Sequence, residues 1–273
     1  MPRTLLLTLD AFGTLFHPRL PIPDQYAATA HSFGLTVSPS SLKSAFKESF
    51  KAQSILRPNY GRADVLRGEY AGPRQWWEEV IRASFARAIP SLREDEIPNP
   101  LVEGLIHRFA SREGYVLFDD ARLFFHRMRL LRETTAVRVY VGVLSNSDDR
   151  VASVLDSLGV KVNKGGDDYR HDYRDVDFVL TSYEAGEEKP HRLIFDTARS
   201  IAQKIALHSS PSADWTCLHV GDDREKDYEG ALRAGWTSYH LQRDQDGHPE
   251  DIQTTKNSTV HSLLDVLDKT HLS

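Results

Sequence analysis

The chain is short of the residues that staple small folds. It has one cysteine, Cys217, in 273 residues, so no internal disulfide can form. It lacks any run of about twenty apolar residues, the length a membrane helix needs. The apolar stretch near the N-terminus, Leu5 to Leu9, is broken by Asp10, too soon for a membrane span or a signal-peptide core. A surplus of basic residues is also missing: the net charge is -5, which speaks against a general nucleic-acid binder. His-Glu-x-x-His metal spacing does not occur among the 12 histidines. These absences lead to the expectation of a soluble intracellular protein, cytoplasmic or nuclear, with no nucleic-acid and no membrane partner. Composition is otherwise ordinary, 40% hydrophobic and 27% charged, and a chain this long has room for two domains and a core that needs no staples.

What is present is a change of pattern. Leu5 to Asp10 is apolar without helical spacing and reads as a buried strand. From Pro21 to Phe109 the spacing becomes helical. Tyr26, Ala30 and Phe33 form one stripe, and Leu42, Ala45, Phe46 and Phe50 follow the cap signal Ser38-Pro39. Trp76, Trp77, Val80, Ile81 and Phe85 form a third stripe, expected in the core of this block, and Leu101, Leu105, Ile106 and Phe109 a fourth. From Tyr115 strands and helices alternate. A helix through Leu123, Phe124, Met128 and Leu131 precedes the β-branched strand VRVYVGVL. Then come a helix through Val151, Val154 and Leu158, the strand DFVLTS, a helix opening at Pro190, the strand WTCLHV, the helix KDYEGALRAG, the strand WTSYHL and a helix over Val260 to Leu267. Such alternation predicts an α/β fold with a parallel sheet. The all-helical block is expected as a second domain carried on a loop of the first. The expected boundaries are 1–16 and 115–273 for the α/β core and 17–114 for the helical domain. The polar stretch 161–175 reads as a solvated loop.

Parallel sheets bind ligands at the carboxyl ends of their strands, which singles out four places. The first strand ends in Asp10 and the second in Ser145-Asn146. Lys189 stands just before a helix, and WTCLHV runs into Gly221-Asp222-Asp223, with Asp227 five residues after Asp222. Singly, each fits an ordinary turn or cap; in this order, each at a strand end, they indicate a site. Asp10 and Asp222 brought together repel unless a cation sits between them. Hard oxygen donors with room for water and a phosphate suit Mg²⁺, and the backbone carbonyl of Phe12 is a third candidate ligand. Asp10 keeps an oxygen with which to attack phosphorus, and Lys189 adds positive charge. The Ser145 hydroxyl and nearby N–H groups would hold phosphate oxygens, and such positioning and electrostatics are most of what phosphoryl transfer requires. Thr14 and Asn146, beside these positions, are candidate substrate contacts.

The stretches LLLTLDAFGTLF, VYVGVLSNSD, EEKPHRLIF and LHVGDDREKDYEGALRAGW, spread from Leu5 to Trp236, resemble the four motifs of the haloacid dehalogenase-like (HAD) hydrolase superfamily in the family order. The resemblance implies a Rossmann-like core of the HAD fold with an inserted α-helical cap where the helical block lies. It implies Asp10 as nucleophile, Ser145 as phosphate binder and Lys189 as the charge-stabilising lysine. Asp222 becomes the second metal carboxylate, and Asp223 or Asp227 an outer partner of the lysine or of metal-bound water. Mg²⁺ is the implied cofactor and a small phosphorylated molecule the implied substrate.

Phe12 departs from that pattern. Family phosphatases usually carry an aspartate two places after the nucleophile, which protonates the leaving oxygen and later activates water. Nothing else in DAFGTLF transfers a proton. General acid–base catalysis contributes roughly 10²–10⁴-fold, so a phosphatase of this kind is expected to be slow on alkyl phosphates and less impaired on acyl or aryl ones. Three readings stay open: a Mg²⁺-dependent phosphatase with atypical acid–base chemistry, a metal-independent 2-haloacid dehalogenase, and a binding protein that has kept the fold without the chemistry. Dehalogenases carry an aromatic at the Phe12 place and need no acid for the leaving halide. Their fourth motif, however, resembles Ser-Asn, whereas Gly221-Asp222-Asp223 gathers charge that favours a metal and repels a carboxylate substrate. A phosphonate-cleaving reading needs a Schiff-base lysine; Lys43, Lys47 and Lys51 read as a solvated helix face. Cys217, beside His219 in a strand, reads as packing.

Overall fold

The computed structural model describes residues 4–134, 137–163, 174–207, 214–243 and 258–270. In chain order its elements are β1 (Thr4–Leu9), β2 (Phe16–Pro18), α1 (Ile22–Ser32), α2 (Pro39–Leu56), α3 (Pro58–Leu66), α4 (Pro73–Ala88), a 3₁₀ turn (Glu94–Glu96) and α5 (Asn99–Arg108). There follow β3 (Tyr115–Leu117), α6 (Asp119–Thr134), β4 (Arg138–Ser145), α7 (Arg150–Ser157), β5 (Phe178–Thr181), α8 (Ser182–Ala185) and α9 (Arg192–Leu207). The chain continues with β6 (Trp215–Gly221), a π-helical turn (Arg224–Glu229), α10 (Gly230–Arg233), β7 (Thr237–Leu241), β8 (Thr259–Val260) and α11 (Leu263–Lys269).

Six strands form one sheet in the order β5-β4-β1-β6-β7-β8, parallel at every pairing. All of β1 is buried, which is why leucines occupy both of its faces instead of alternating with exposed polar residues. The order grows outward from β1 to β4 and β5, then restarts on the other side with β6. That reversal sets the carboxyl ends of β1 and β6 side by side, the crevice where such sheets take ligands. Asp10 follows β1 and Asp222 follows β6. Leu6, Tyr140, Leu144, Phe178 and Leu180 pack with Ile194, Phe195, Ala198 and Ala202 of α9 and with Trp236. The α6 helix buries Ala121, Phe124, Phe125 and Met128 and leaves Leu123 exposed. The helical spacing is there, but the buried face is turned away from Leu123.

The chain divides into two compact units: residues 1–17, 117–147 and 159–273, which hold the six-stranded sheet, and residues 18–116 and 148–158, which hold α1 to α5 and α7. The sequence boundaries put 148–158 with the sheet. In the structure these residues join the helices: the Trp77 indole N–H donates to Asp148 Oδ2 at 2.6 Å, and the Arg150 guanidinium lies 4.4 Å from the centre of the Trp77 ring. Within this unit α2 packs on α4 and α1 on α2 and α5. The Ser38 hydroxyl accepts from the Ser41 N–H, with Pro39 opening α2, as the cap signal predicts. Trp76, Val80, Ile81 and Phe85 are buried, whereas Phe50 remains partly exposed. The α3 helix opens through Asn59, Tyr60 and Gly61 in left-handed conformation, a feature no sequence signal announced. Among the described residues no helix is long and apolar enough to cross a membrane. Most of the polar stretch 161–175 lies outside the described residues.

Candidate active site

Thr8 of β1 pairs in register with His219 of β6. Side chains alternate along a strand, so Thr8 and Asp10 share one face, as do His219 and Gly221. The glycine matters because a Cβ on Gly221 would lie 2.2 Å from the Asp227 carboxylate carbon. The space that Gly221 leaves empty is where the Asp227 carboxylate sits. This carboxylate returns from the π-helical turn, whose start is capped by Asp223 accepting from the N–H groups of Glu225 and Lys226.

Lys189 joins the two strands. Its ammonium donates to Asp10 Oδ1 at 2.5 Å, to Asp227 Oδ1 at 2.6 Å and to the Leu144 carbonyl at 2.8 Å. Three acceptors match its three hydrogens. The backbone around it is held by Asn146, which accepts from the Lys189 N–H at 2.7 Å and donates to the Lys189 carbonyl at 2.8 Å. Asp227 also meets His219 Nε2 at 3.1 Å and accepts from the Asp223 N–H at 3.0 Å. His219 Nδ1 lies 2.8 Å from the Thr8 hydroxyl. Burial holds the imidazole pKa below its usual value, against the pull of Asp227. Because a carboxylate only accepts, Nε2 carries a proton toward Asp227, while the Thr8 hydroxyl has both Nδ1 at 2.8 Å and the Leu218 carbonyl at 3.3 Å within reach. Thr8, His219, Asp227, Lys189 and Asp10 thus form one buried chain of polar contacts, a network that fixes orientation when every member is satisfied.

Charge sets the behaviour of this chain. Burial pushes the Asp10 carboxyl up to about 7; the Lys189 ammonium opposes the rise, and Asp227 and Asp222 add to it. Burial also works against the ammonium of Lys189, but Asp10 and Asp227 outweigh it and raise its pKa. For Asp227 burial is again outweighed, here by Lys189 and His219, and the carboxyl is held well below its usual value. Burial raises the Asp222 carboxyl. Its Oδ1 accepts from the Thr14 hydroxyl at 2.9 Å. Among the described residues, Asp10, Asp222 and Asp227 form the group of acidic side chains close enough to share a metal, with ligand atoms within 4.8 Å of one another.

No protein-family model matches the chain. The Homo sapiens protein named haloacid dehalogenase-like hydrolase domain-containing protein 3 is 32% identical over 234 residues, which cover 86% of this chain and 80% of that protein. The chain belongs to the haloacid dehalogenase-like hydrolases. The HAD fold is shared with a defluorinating L-2-haloacid dehalogenase, at TM-score 0.64 and 13% identity over 99% of this chain and 95% of that one. It is also shared with YfnB from Bacillus subtilis in a magnesium-bound crystal structure, at TM-score 0.55 and 14% identity over 98% of both chains.

Within this HAD framework the residues singled out from sequence take different places. Asp10, Lys189 and Asp227 are in direct contact, and Asp222 stands beside them. Ser145 ends β4 and is buried. Thr14 and Asn146 have positioning bonds, to the Asp222 carboxylate and to the Lys189 backbone. Of the two acidic residues left open as partners of the lysine, it is Asp227 that touches it; the Asp223 side chain caps the π-helical turn and pairs with Lys226 at 3.0 Å. Phe12 is partly exposed, its ring edge-on to Phe16 at 4.8 Å between centres. Sequence reasoning passed over Thr8 and His219, although a histidine in the middle of an apolar strand is a visible signal. It also passed over Arg243, whose guanidinium donates to the Gly13 and Thr14 carbonyls at 3.2 and 2.6 Å. Cys217 is half-buried and burial lifts its thiol to about 11, which fits a packing role.

Proposed function

We propose that this HAD hydrolase is a Mg²⁺-dependent phosphohydrolase working through an aspartyl-phosphate on Asp10. The observation that carries the reading is the unbalanced charge at the ends of β1 and β6. Two carboxylates, Asp10 and Asp227, share the Lys189 ammonium, a third, Asp222, has an oxygen within 4.8 Å of theirs, and the Asp10 carboxyl is displaced to about 7. Hard oxygen donors of this kind fit a small dication. Asp10 and Asp222, with the Phe12 carbonyl, are the residues that would hold it, while Asp227 is engaged by Lys189, His219 and the Asp223 N–H. Bound there, Mg²⁺ would supply the positive charge that lets a phosphate dianion approach. The magnesium-bound YfnB structure, of the same fold, is consistent with this choice of ion.

The residues divide the work. Lys189 holds Asp10 Oδ1, which orients the carboxylate with Oδ2 as the attacking atom. Oδ2 bonds to phosphorus as the bond to the leaving oxygen breaks, and that oxygen departs with the electron pair. Water then attacks phosphorus, the bond to Oδ2 breaks, and phosphate leaves while a proton passes to solvent. Ser145, at the end of β4, would bind a phosphate oxygen. Phe12 offers no proton to the leaving group, so acyl and aryl phosphates, whose leaving groups are weak bases, are the preferred class.

The test is hydrolysis of acetyl phosphate and p-nitrophenyl phosphate with and without Mg²⁺, by the wild type, Asp10→Asn and Asp222→Asn. The expected result is Mg²⁺-dependent turnover that disappears in Asp10→Asn and needs more Mg²⁺ in Asp222→Asn. Full activity in EDTA would refute the metal. Chloride release from 2-chloropropionate, with phosphate esters untouched, would replace the reading with a dehalogenase.

A further inference from the structure

Arg243 follows β7 and none of its contacts is with Asp10, Lys189 or Asp227. Its guanidinium nevertheless makes four contacts, two of them to the turn after β1 and two to residues at the start of α6. Nε donates to the Gly13 carbonyl at 3.2 Å and one terminal nitrogen to the Thr14 carbonyl at 2.6 Å. The other terminal nitrogen donates to Asp120 Oδ1 at 2.8 Å, and the guanidinium carbon lies 3.7 Å from the centre of the Phe118 ring. Asp120 is held in turn: its Oδ2 accepts from the Leu263 N–H at 2.9 Å and the Ser262 hydroxyl at 3.3 Å. The Arg243–Asp120 pair is largely buried, with 14% and 15% of the side chains exposed. The turn it grips presses on Asp222 from two directions, through the Thr14 hydroxyl at 2.9 Å and through the space Gly13 lacks a side chain to fill.

We infer that Arg243 is a positioning residue: with Asp120 as its anchor, it fixes the Gly13–Thr14 turn and thereby sets where the Asp222 carboxylate points. The fixed fork of a guanidinium is suited to this task, because it serves two carbonyls and a carboxylate at once in one plane. A lysine offers a point charge that cannot span all three. The consequence for metal binding rests on the Mg²⁺ reading proposed above; the consequence for the turn does not.

The experiment separates the two. Amide hydrogen exchange is measured by NMR on the metal-free full chain for Arg243→Lys and Asp120→Asn, and Mg²⁺ affinity is measured by calorimetry on the same proteins. Arg129→Gln, which breaks the separate ion pair to buried Asp175, controls for general loss of stability. The turn's own bonds report on it: Gly13 N–H to the Phe16 carbonyl, and Leu15 and Phe16 N–H to the Ala11 carbonyl. Exchange at these three amides is expected to quicken at least tenfold relative to those of β1 and β4 in both test variants, and not in Arg129→Gln. Mg²⁺ binding is expected to weaken at least threefold alongside. Exchange at the three amides that is unchanged, or that quickens only in step with the sheet, overturns the assignment whatever happens to Mg²⁺. If the wild type binds no Mg²⁺, the metal reading falls, and the exchange pattern alone decides the role of Arg243.

Discussion

Gly13 offers a test of the site that depends on a single methyl group. It sits at φ +81°, and an added Cβ would lie 2.3 Å from Asp222 Oδ2 and 2.6 Å from Cγ. Gly13→Ala therefore carries two penalties. A left-handed backbone costs an L-residue roughly 1–2 kcal/mol. The clash also drives Asp222 off its bond from the Thr14 hydroxyl, a charged hydrogen bond worth roughly 1.5–3 kcal/mol. The sum is about 2.5–5 kcal/mol. Gly34 supplies the control, since it sits at φ +79° with nothing within 4 Å of an added Cβ. Gly34→Ala should carry the backbone penalty alone, about 1–2 kcal/mol. Urea unfolding of both metal-free variants, followed by tryptophan fluorescence, measures the difference. A Mg²⁺ titration gives a second reading, weakened in Gly13→Ala and unchanged in Gly34→Ala. If Gly13→Ala costs no more than Gly34→Ala and binds Mg²⁺ like the wild type, the packing of Asp222 against this turn is wrong.

Two further outcomes are expected. Phe12→Asp restores a proton carrier at a partly exposed position and should raise turnover of an alkyl phosphate such as glycerol phosphate by about tenfold or more, with little gain on acetyl phosphate; an equal gain on both would contradict the leaving-group argument. The second concerns pH. Asp10 has a carboxyl pKa of about 7 in the folded, metal-free chain against about 3.9 when unfolded. Between those values the folded state binds more protons, so this group's contribution to stability falls as pH rises. The depressed His219 pKa gives an opposing slope below about pH 6.5, but wild type and Asp10→Asn share it. Thermal denaturation in EDTA at pH 5 and pH 7.5 should therefore show Asp10→Asn gaining on the wild type at the higher pH. A difference that does not change with pH would mean Asp10 titrates normally.

The features read from sequence are those whose cause is local or compositional. β1, β4 and β6 stand out because central strands of a parallel sheet are buried on both faces and are therefore mostly apolar. Asp10 and Asp222 stand out only together with Ser145 and Lys189, because each alone fits an ordinary turn or cap whereas the four at successive strand ends do not. The contact between Lys189 and Asp227 was half legible, since the family resemblance left Asp223 and Asp227 both open; the π-helical turn decides it by using Asp223 as its cap. Arg243 was not legible. It meets Gly13 across 230 positions of chain, and an arginine after a strand looks like any solvated charge until the topology brings the two together. Residues 148–158 were misplaced for a related reason: their grouping rests on Trp77, Asp148 and Arg150, contacts that helical spacing does not report.

The most direct test of the central claim is to look for the phosphoryl group on Asp10. Wild type and Asp10→Asn are mixed with acetyl phosphate and Mg²⁺, quenched in acid within milliseconds, digested and mapped by mass spectrometry. The account predicts a phosphorylated peptide containing Asp10 that decays at the turnover rate and is absent from the variant. Steady hydrolysis by Asp10→Asn, with no adduct on the wild type, would contradict it.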